Sequence, residues 1–118
     1  IRLDAAVGMK CDVFTGGSQI VNCNQGATTG WSANTWYAIC WERSGNTVRG
    51  YRDGSVIATH ATAGFTYPDY AAVQAIGVSQ QSVNNFYLNG NIDELRVTKG
   101  VARYGGAYTP RTSAFPNS

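Results

Sequence analysis

The stretch TWYAICWERSGNTVRGYRDGSVIATH, residues 35–60, decides how this chain folds. Apolar and β-branched runs alternate in it with Ser-Gly-Asn at 44–46 and Asp-Gly at 53–54. Gly, and to a lesser degree Asn and Asp, accept the positive φ that a two-residue hairpin turn demands. No window spaces apolar residues at i, i+3, i+4 and i+7, as an amphipathic helix requires. Three antiparallel strands are therefore predicted, over residues 35–43, 47–52 and 55–60.

The same grammar extends outward in both directions. Upstream, IRLDAAV opens the chain, and MKCDVF, the Gly16-Gly17 turn and SQIVNC read as a hairpin, with NQGATTG as a loop. Downstream, ATAGFTYPDY is a loop in which Pro68 fixes one φ angle, and AVQAIGV is a strand. SQQSVNN reads as a polar loop and FYLNGNIDELRVT as a further strand. From Gly100 the chain becomes an irregular, aromatic-anchored tail, with residues 105–118 wrapping the fold. Roughly seven to nine short strands at intervals of about 8–12 residues predict an all-β sandwich or barrel. No internal repeat or linker divides residues 1–118, so they are read as one domain.

Apolar residues make up 43% of the chain, enough for a core, while charged residues are only 14%. Low charge with abundant Asn, Thr, Gly and Tyr is common in secreted and virion-type β proteins. A net charge of +2 without a Lys/Arg stripe argues against a nucleic-acid partner. No apolar run reaches the ~20 residues that span a bilayer, so no membrane insertion is expected. Ile rather than Met at position 1 suggests a processed product or a fragment.

The three cysteines are Cys11, Cys23 and Cys40. A three-residue Gly-Gly-Ser loop would set Cys11 and Cys23 opposite one another in the first hairpin, where a cross-strand disulfide is geometrically open to them. Free buried thiols, packing as small apolar groups, are the equal alternative. No pair of cysteines has short zinc-ligand spacing, and His60 does not complete a set, so no metal site is expected.

Two segments carry a family resemblance. One is WYAICWERSGNTVRGYRDGSVIAT at 36–59, and the other is AIGVSQQSVNNFYLNGNIDELRVTKGVARY at 75–104. In this order they resemble the concanavalin A-like lectin/glucanase superfamily, specifically the laminin G-like domains of phage and bacterial surface proteins. The resemblance implies a concanavalin A-like jelly roll, an antiparallel sandwich of two large sheets. Members usually carry further strands ahead of residues 1–30, so the chain is expected to be the C-terminal part of the domain. Calcium enters only through this resemblance, and Asp69 is the single acid in the relevant stretch.

Asp93 and Glu94 invite a catalytic reading. Glycosidases face two carboxyl groups across the sugar, about 5–9.5 Å apart, whereas adjacent strand residues point to opposite faces. The Glu-x-Asp core of the glucanase branch is absent. The structural reading makes 93–98 a sandwich strand in which Glu94 and Arg96 share a face and are placed to pair. His60 lacks a nucleophile in any triad pattern, Ser55 and Ser79 included. No catalytic residue is expected, and the chain is not expected to be an enzyme.

Carbohydrate binding is the stronger expectation. Sugar sites combine flat aromatic faces with side chains that hydrogen-bond hydroxyls. Two loops offer that mixture: Tyr67, Asp69 and Tyr70 in one, and Gln80, Gln81, Asn84, Asn85 and Tyr87 in the other. Trp31, Trp36 and Trp41 are assigned to packing instead. The leading expectation is a structural, adhesive module of a phage virion, in capsid decoration or a receptor-binding tail fibre. It would bind host glycans and touch other virion or surface subunits, without a cofactor. The alternative is an extracellular carbohydrate-binding module of a larger enzyme or surface protein. A partial sandwich also leaves edges for another copy to cover, so a homo-oligomer is expected.

Overall fold

The computed structural model describes residues 2–4, 7–64, 66, 75–80 and 85–116, with only the backbone described at 2–4, 79 and 80. Eight strands run in chain order: β1 (Arg2–Asp4), β2 (Gly8–Thr15), β3 (Ser18–Asn24), β4 (Ile39–Ser44), β5 (Thr47–Arg52), β6 (Ser55–Ala61), β7 (Val78–Gln80) and β8 (Asn85–Tyr87). They form antiparallel sheets β1-β2-β3, β4-β5-β6 and the two-stranded β7-β8. No helix occurs among the described residues.

The hairpins β2–β3 and β5–β6 are built alike. Each turns on two residues of positive φ, Gly16 (53°) and Gly17 (81°) in one, Asp53 (50°) and Gly54 (80°) in the other. This is the primed turn whose twist matches the flanking strands. Each hairpin then slips by one residue after its second pair, at Val13/Phe14 and at Gly50/Tyr51. The extra residue is an isoleucine in both, Ile20 and Ile57. A bulge of this kind swaps the faces of every residue beyond it.

Those two slips build the core. Beyond them Val13 faces Val21, Cys11 faces Cys23, and Gly50 faces Ala58. Val21, Cys23, Val48 and Ala58 form the buried cluster between the first two sheets, with Cys11, Val13 and Trp41 packed against it. Gly50 lies opposite Trp41, and a Cβ at Gly50 would come within 2.7 Å of the indole. Glycine is required there because the ring occupies the space a side chain would need.

The other face of β4-β5-β6 is covered by the C-terminal segment. Tyr51, fully buried on that face, meets the rings of Tyr104 and Tyr108 edge-on at 6.1 and 5.5 Å. Tyr104 and Tyr108 stack on each other at 3.7 Å. The Tyr108 amide donates to the Gly54 carbonyl at 2.9 Å, and the Tyr108 carbonyl fills the space beside the Gly54 Cα.

The expected three-residue Gly-Gly-Ser loop is a two-residue turn, since Ser18 pairs with Thr15, and the slip at Ile20 restores the register in which Cys11 faces Cys23. Three further expected elements differ. Residues 35–38 are not strand, because β5 ends at Arg52 and leaves them no partner strand. Ala38 instead exchanges hydrogen bonds with Asp53, its amide reaching Oδ1 at 2.9 Å and its carbonyl accepting the Asp53 amide at 2.8 Å. Of the expected strand at 72–78, residues 72–74 lie outside the described residues, 75–77 are irregular, and pairing starts only at Val78 and runs on through Ser79 and Gln80, which were read as loop. The expected strand at 93–98 does not form. Glu94 takes φ 52°, a left-handed value that breaks an extended run, and its amide is turned onto Asp93 Oδ1 at 2.8 Å.

Candidate functional site

Of the residues expected to hold a sugar, Tyr67, Asp69, Tyr70, Gln81 and Asn84 lie outside the described residues. Asn85 and Tyr87 are described, and they open and close β8. Two apart on one strand, they project from the same face. Both are exposed, Tyr87 to 75%. Their cross-strand partners are Gln80 and Val78, so β7 fixes the backbone beneath them. The Leu88 amide donates to the Gly77 carbonyl at 2.8 Å and holds the ribbon one residue further. The result is an open aromatic face with a carboxamide beside it on the same strand, suited to stacking on a ring of C–H groups while hydrogen-bonding a hydroxyl.

The acids that suggested catalysis are engaged elsewhere. Asp93 accepts the Glu94 amide, and Glu94 Oε2 accepts the Phe115 amide at 2.6 Å. Arg96 lies over the Phe115 ring at 4.1 Å, so Glu94 and Arg96 meet at one residue of the tail. Asp53 closes its turn onto Ala38. Asp12 accepts from Gln19 at 2.6 Å and lies 3.5 Å from the Lys10 ammonium.

Glu42 accepts hydrogen bonds from three residues, and nothing in the sequence singled it out. It accepts the Tyr51 hydroxyl at 2.6 Å, the Tyr104 amide at 3.0 Å and the Gly105 amide at 2.6 Å. Burial alone would raise its pKa. The hydrogen bonds from Tyr51 and from the Tyr104, Gly105 and Arg103 amides outweigh that effect and hold it below its ordinary value. Burial, then the hydrogen bond to Glu42, push the Tyr51 phenol up. Glu42 is thus an anchor for the tail, and its partners lie about sixty residues downstream. Only its strand position opposite Arg49, beside Tyr51, could have hinted at this role.

The tryptophans divide. Trp31 is half-buried, donating to Gln25 Oε1 at 2.8 Å and packing edge-on against Tyr37 at 4.9 Å. The Arg52 guanidinium sits 5.0 Å from its ring and donates to the Thr29 carbonyl at 3.2 Å. Trp41 packs against the core. Trp36 departs from the packing role expected of it: at 68% exposed it stands in solvent, because it precedes β4 instead of opening it.

His60 is half-buried in β6 opposite Val48. Among the described residues no group of three or more His, Cys, Asp or Glu side chains is placed to hold a metal ion. Asp69, the one acid that the calcium expectation rested on, is outside the described residues.

The family model Laminin_G_3, of the concanavalin A-like lectin/glucanases superfamily, matches residues 1–103. No curated protein and no solved structure matches the chain.

Proposed function

The chain belongs to the concanavalin A-like lectin/glucanase superfamily, and from that premise we propose that it is a non-enzymatic, adhesive module that binds glycans on a phage virion or another extracellular surface. Membership suggests a carbohydrate-binding type of module. The observation that carries the reading is the exposed pair Asn85 and Tyr87 on one face of β8. Binding is favoured over hydrolysis because Asp12, Glu42, Asp53, Asp93 and Glu94 each accept a hydrogen bond that holds the fold together. A glycosidase needs two carboxyl groups facing each other across the sugar about 5–9.5 Å apart, and the Glu-x-Asp core of the glucanase branch is absent from the sequence. The virion setting is supported by the form of IDELRVTKGVARY at 92–104, which resembles tail-fibre and capsid-decoration modules, and by the low charge of 14%.

A glycan array probed with the purified chain tests this. A retained glycan is expected, with Tyr87→Ala weakening binding by about tenfold or more and Asn85→Ala by less. No retained glycan from a chain whose β-sheet signal is intact would sink the proposal. Release of reducing sugar from the bound glycan would move the chain to the hydrolase branch.

A further inference from the structure

Cys11 and Cys23 take no part in the site on β8, yet β2 and β3 set them directly opposite one another. Opposed residues in an antiparallel pair have Cα atoms about 4.5–5.5 Å apart, inside the range of about 4.4–6.8 Å that a disulfide spans. This register depends on the slip at Ile20. A two-residue Gly16-Gly17 turn pairs Thr15 with Ser18, and carried through without the slip it would set Cys11 opposite Asn22. Cys23 is fully buried and Cys11 half-buried, so Cys11 is the thiol within reach of solvent. Cys40 faces Tyr51 on the far side of the second sheet.

We infer that Cys11 and Cys23 form an oxidisable dithiol that a small-molecule disulfide of the glutathione class converts into a cross-strand disulfide, leaving Cys40 reduced. The Cys11 thiolate attacks one sulfur of the oxidant and displaces the first small thiolate. The Cys23 thiolate then attacks the Cys11 sulfur of that mixed disulfide and displaces the second. Two cysteine thiols are oxidised, one small disulfide is reduced to two thiols, and the cysteine protons leave on those products. Burial raises the pKa of Cys11; burial and then the neighbouring Cys11 push Cys23 up to about 12. Exchange is accordingly slow near neutrality and quickens with rising pH, because the thiolate is the attacking form.

The closure has a consequence across the sandwich. Cys23 Sγ donates to the Val48 carbonyl of β5 at 3.5 Å. A disulfide sulfur has no proton to donate, so oxidation exchanges a contact between sheets for a strap within one.

The test incubates the full chain with oxidised glutathione in mildly alkaline buffer, with circular dichroism monitoring the fold. The free-thiol count is expected to fall from the three cysteines of the sequence to one. The intact mass should drop by two hydrogens, and a non-reducing peptide map should join the peptides of Cys11 and Cys23. Cys40→Ser should leave the crosslink in place, while Cys11→Ser should abolish it. Persistence of all three thiols, a stable glutathione adduct at Cys11, or a crosslink that includes Cys40 would overturn the inference. The wild-type map decides even where Cys23→Ser unfolds the chain.

Discussion

Residues 8–61 and residues 85–116 draw on the same alphabet of aromatics, β-branched residues and glycines, but they are held by different forces. In the first region, two three-stranded ladders stack Val21, Cys23, Val48 and Ala58 into a buried layer. In the second, Phe86, Leu88, Ile92, Leu95, Val97 and Val101 are exposed, Val97 to 79%. What orders this region is a set of pins into the first: Glu42 on the Tyr104 and Gly105 amides, Gly54 on Tyr108, and the Tyr51–Tyr104–Tyr108 ring contacts. Glu94 and Arg96 then fasten the chain end at Phe115. Burial is roughly proportional to apolar area and tolerates small shifts, whereas a pin depends on one donor and one acceptor. The second region should therefore be sensitive to single polar changes and indifferent to most apolar ones.

The largest effect is expected where both regions share a residue. Tyr51→Ala removes a buried ring and the Glu42 hydrogen bond, and should cost about 3–5 kcal/mol in denaturant unfolding. Tyr51→Phe should cost only about 1–2 kcal/mol, which separates the ring's share from the hydroxyl's. Next comes Gly54→Ala, which forces a positive φ on alanine and drives its Cβ into the Tyr108 carbonyl. It should cost about 2–3 kcal/mol and raise hydrogen exchange in 104–108 more than in β2 and β3.

Acid should separate the two regions without any mutation. The folded pKa of Glu42 lies below its ordinary value of 4.5, so its contribution is complete above that pH. It is lost as pH falls through the lower folded value. Exchange protection of the Tyr104 and Gly105 amides is expected to fall in that acid window before β3 and β5 open. Glu42→Gln should make the same amides exchange faster at neutral pH and flatten the acid dependence. The smallest effect is expected from Val97→Ala and Tyr87→Ala, each within about 0.5 kcal/mol of wild type in thermal or denaturant melts. A large loss at Val97 would mean that the second region buries apolar surface after all, and the contrast would collapse.

Residues 39–61 were legible because everything they need is local. The Gly45-Asn46 and Asp53-Gly54 turns and the β-branched runs announce a meander whose strands pair with their chain neighbours. The hairpin at 8–24 was legible for the same reason. The bulges at Ile20 and Ile57 were not, since an isoleucine in a strand reads identically whether it is paired or extra. NIDELRVT shows the opposite failure. Its period-2 pattern promised a strand, but a strand requires a partner backbone, and Glu94 turns left-handed instead. For the site, the aromatic-plus-amide composition around Asn85 and Tyr87 was visible in one dimension, while their sharing an exposed face waited on the β7–β8 register.

By itself, then, the sequence determined the all-β class, the approximate places of the hairpin turns and the family, whereas the slip at Ile20 set Cys11 opposite Cys23. The first three follow from backbone preferences and side-chain alternation, both properties of a few neighbouring residues. Tertiary structure decided that Glu42 anchors a tail some sixty residues away, that Gly50 makes room for Trp41, and that Trp36 stands in solvent. Each of these is settled by which surfaces are brought together, and distance along the chain carries almost no information about that.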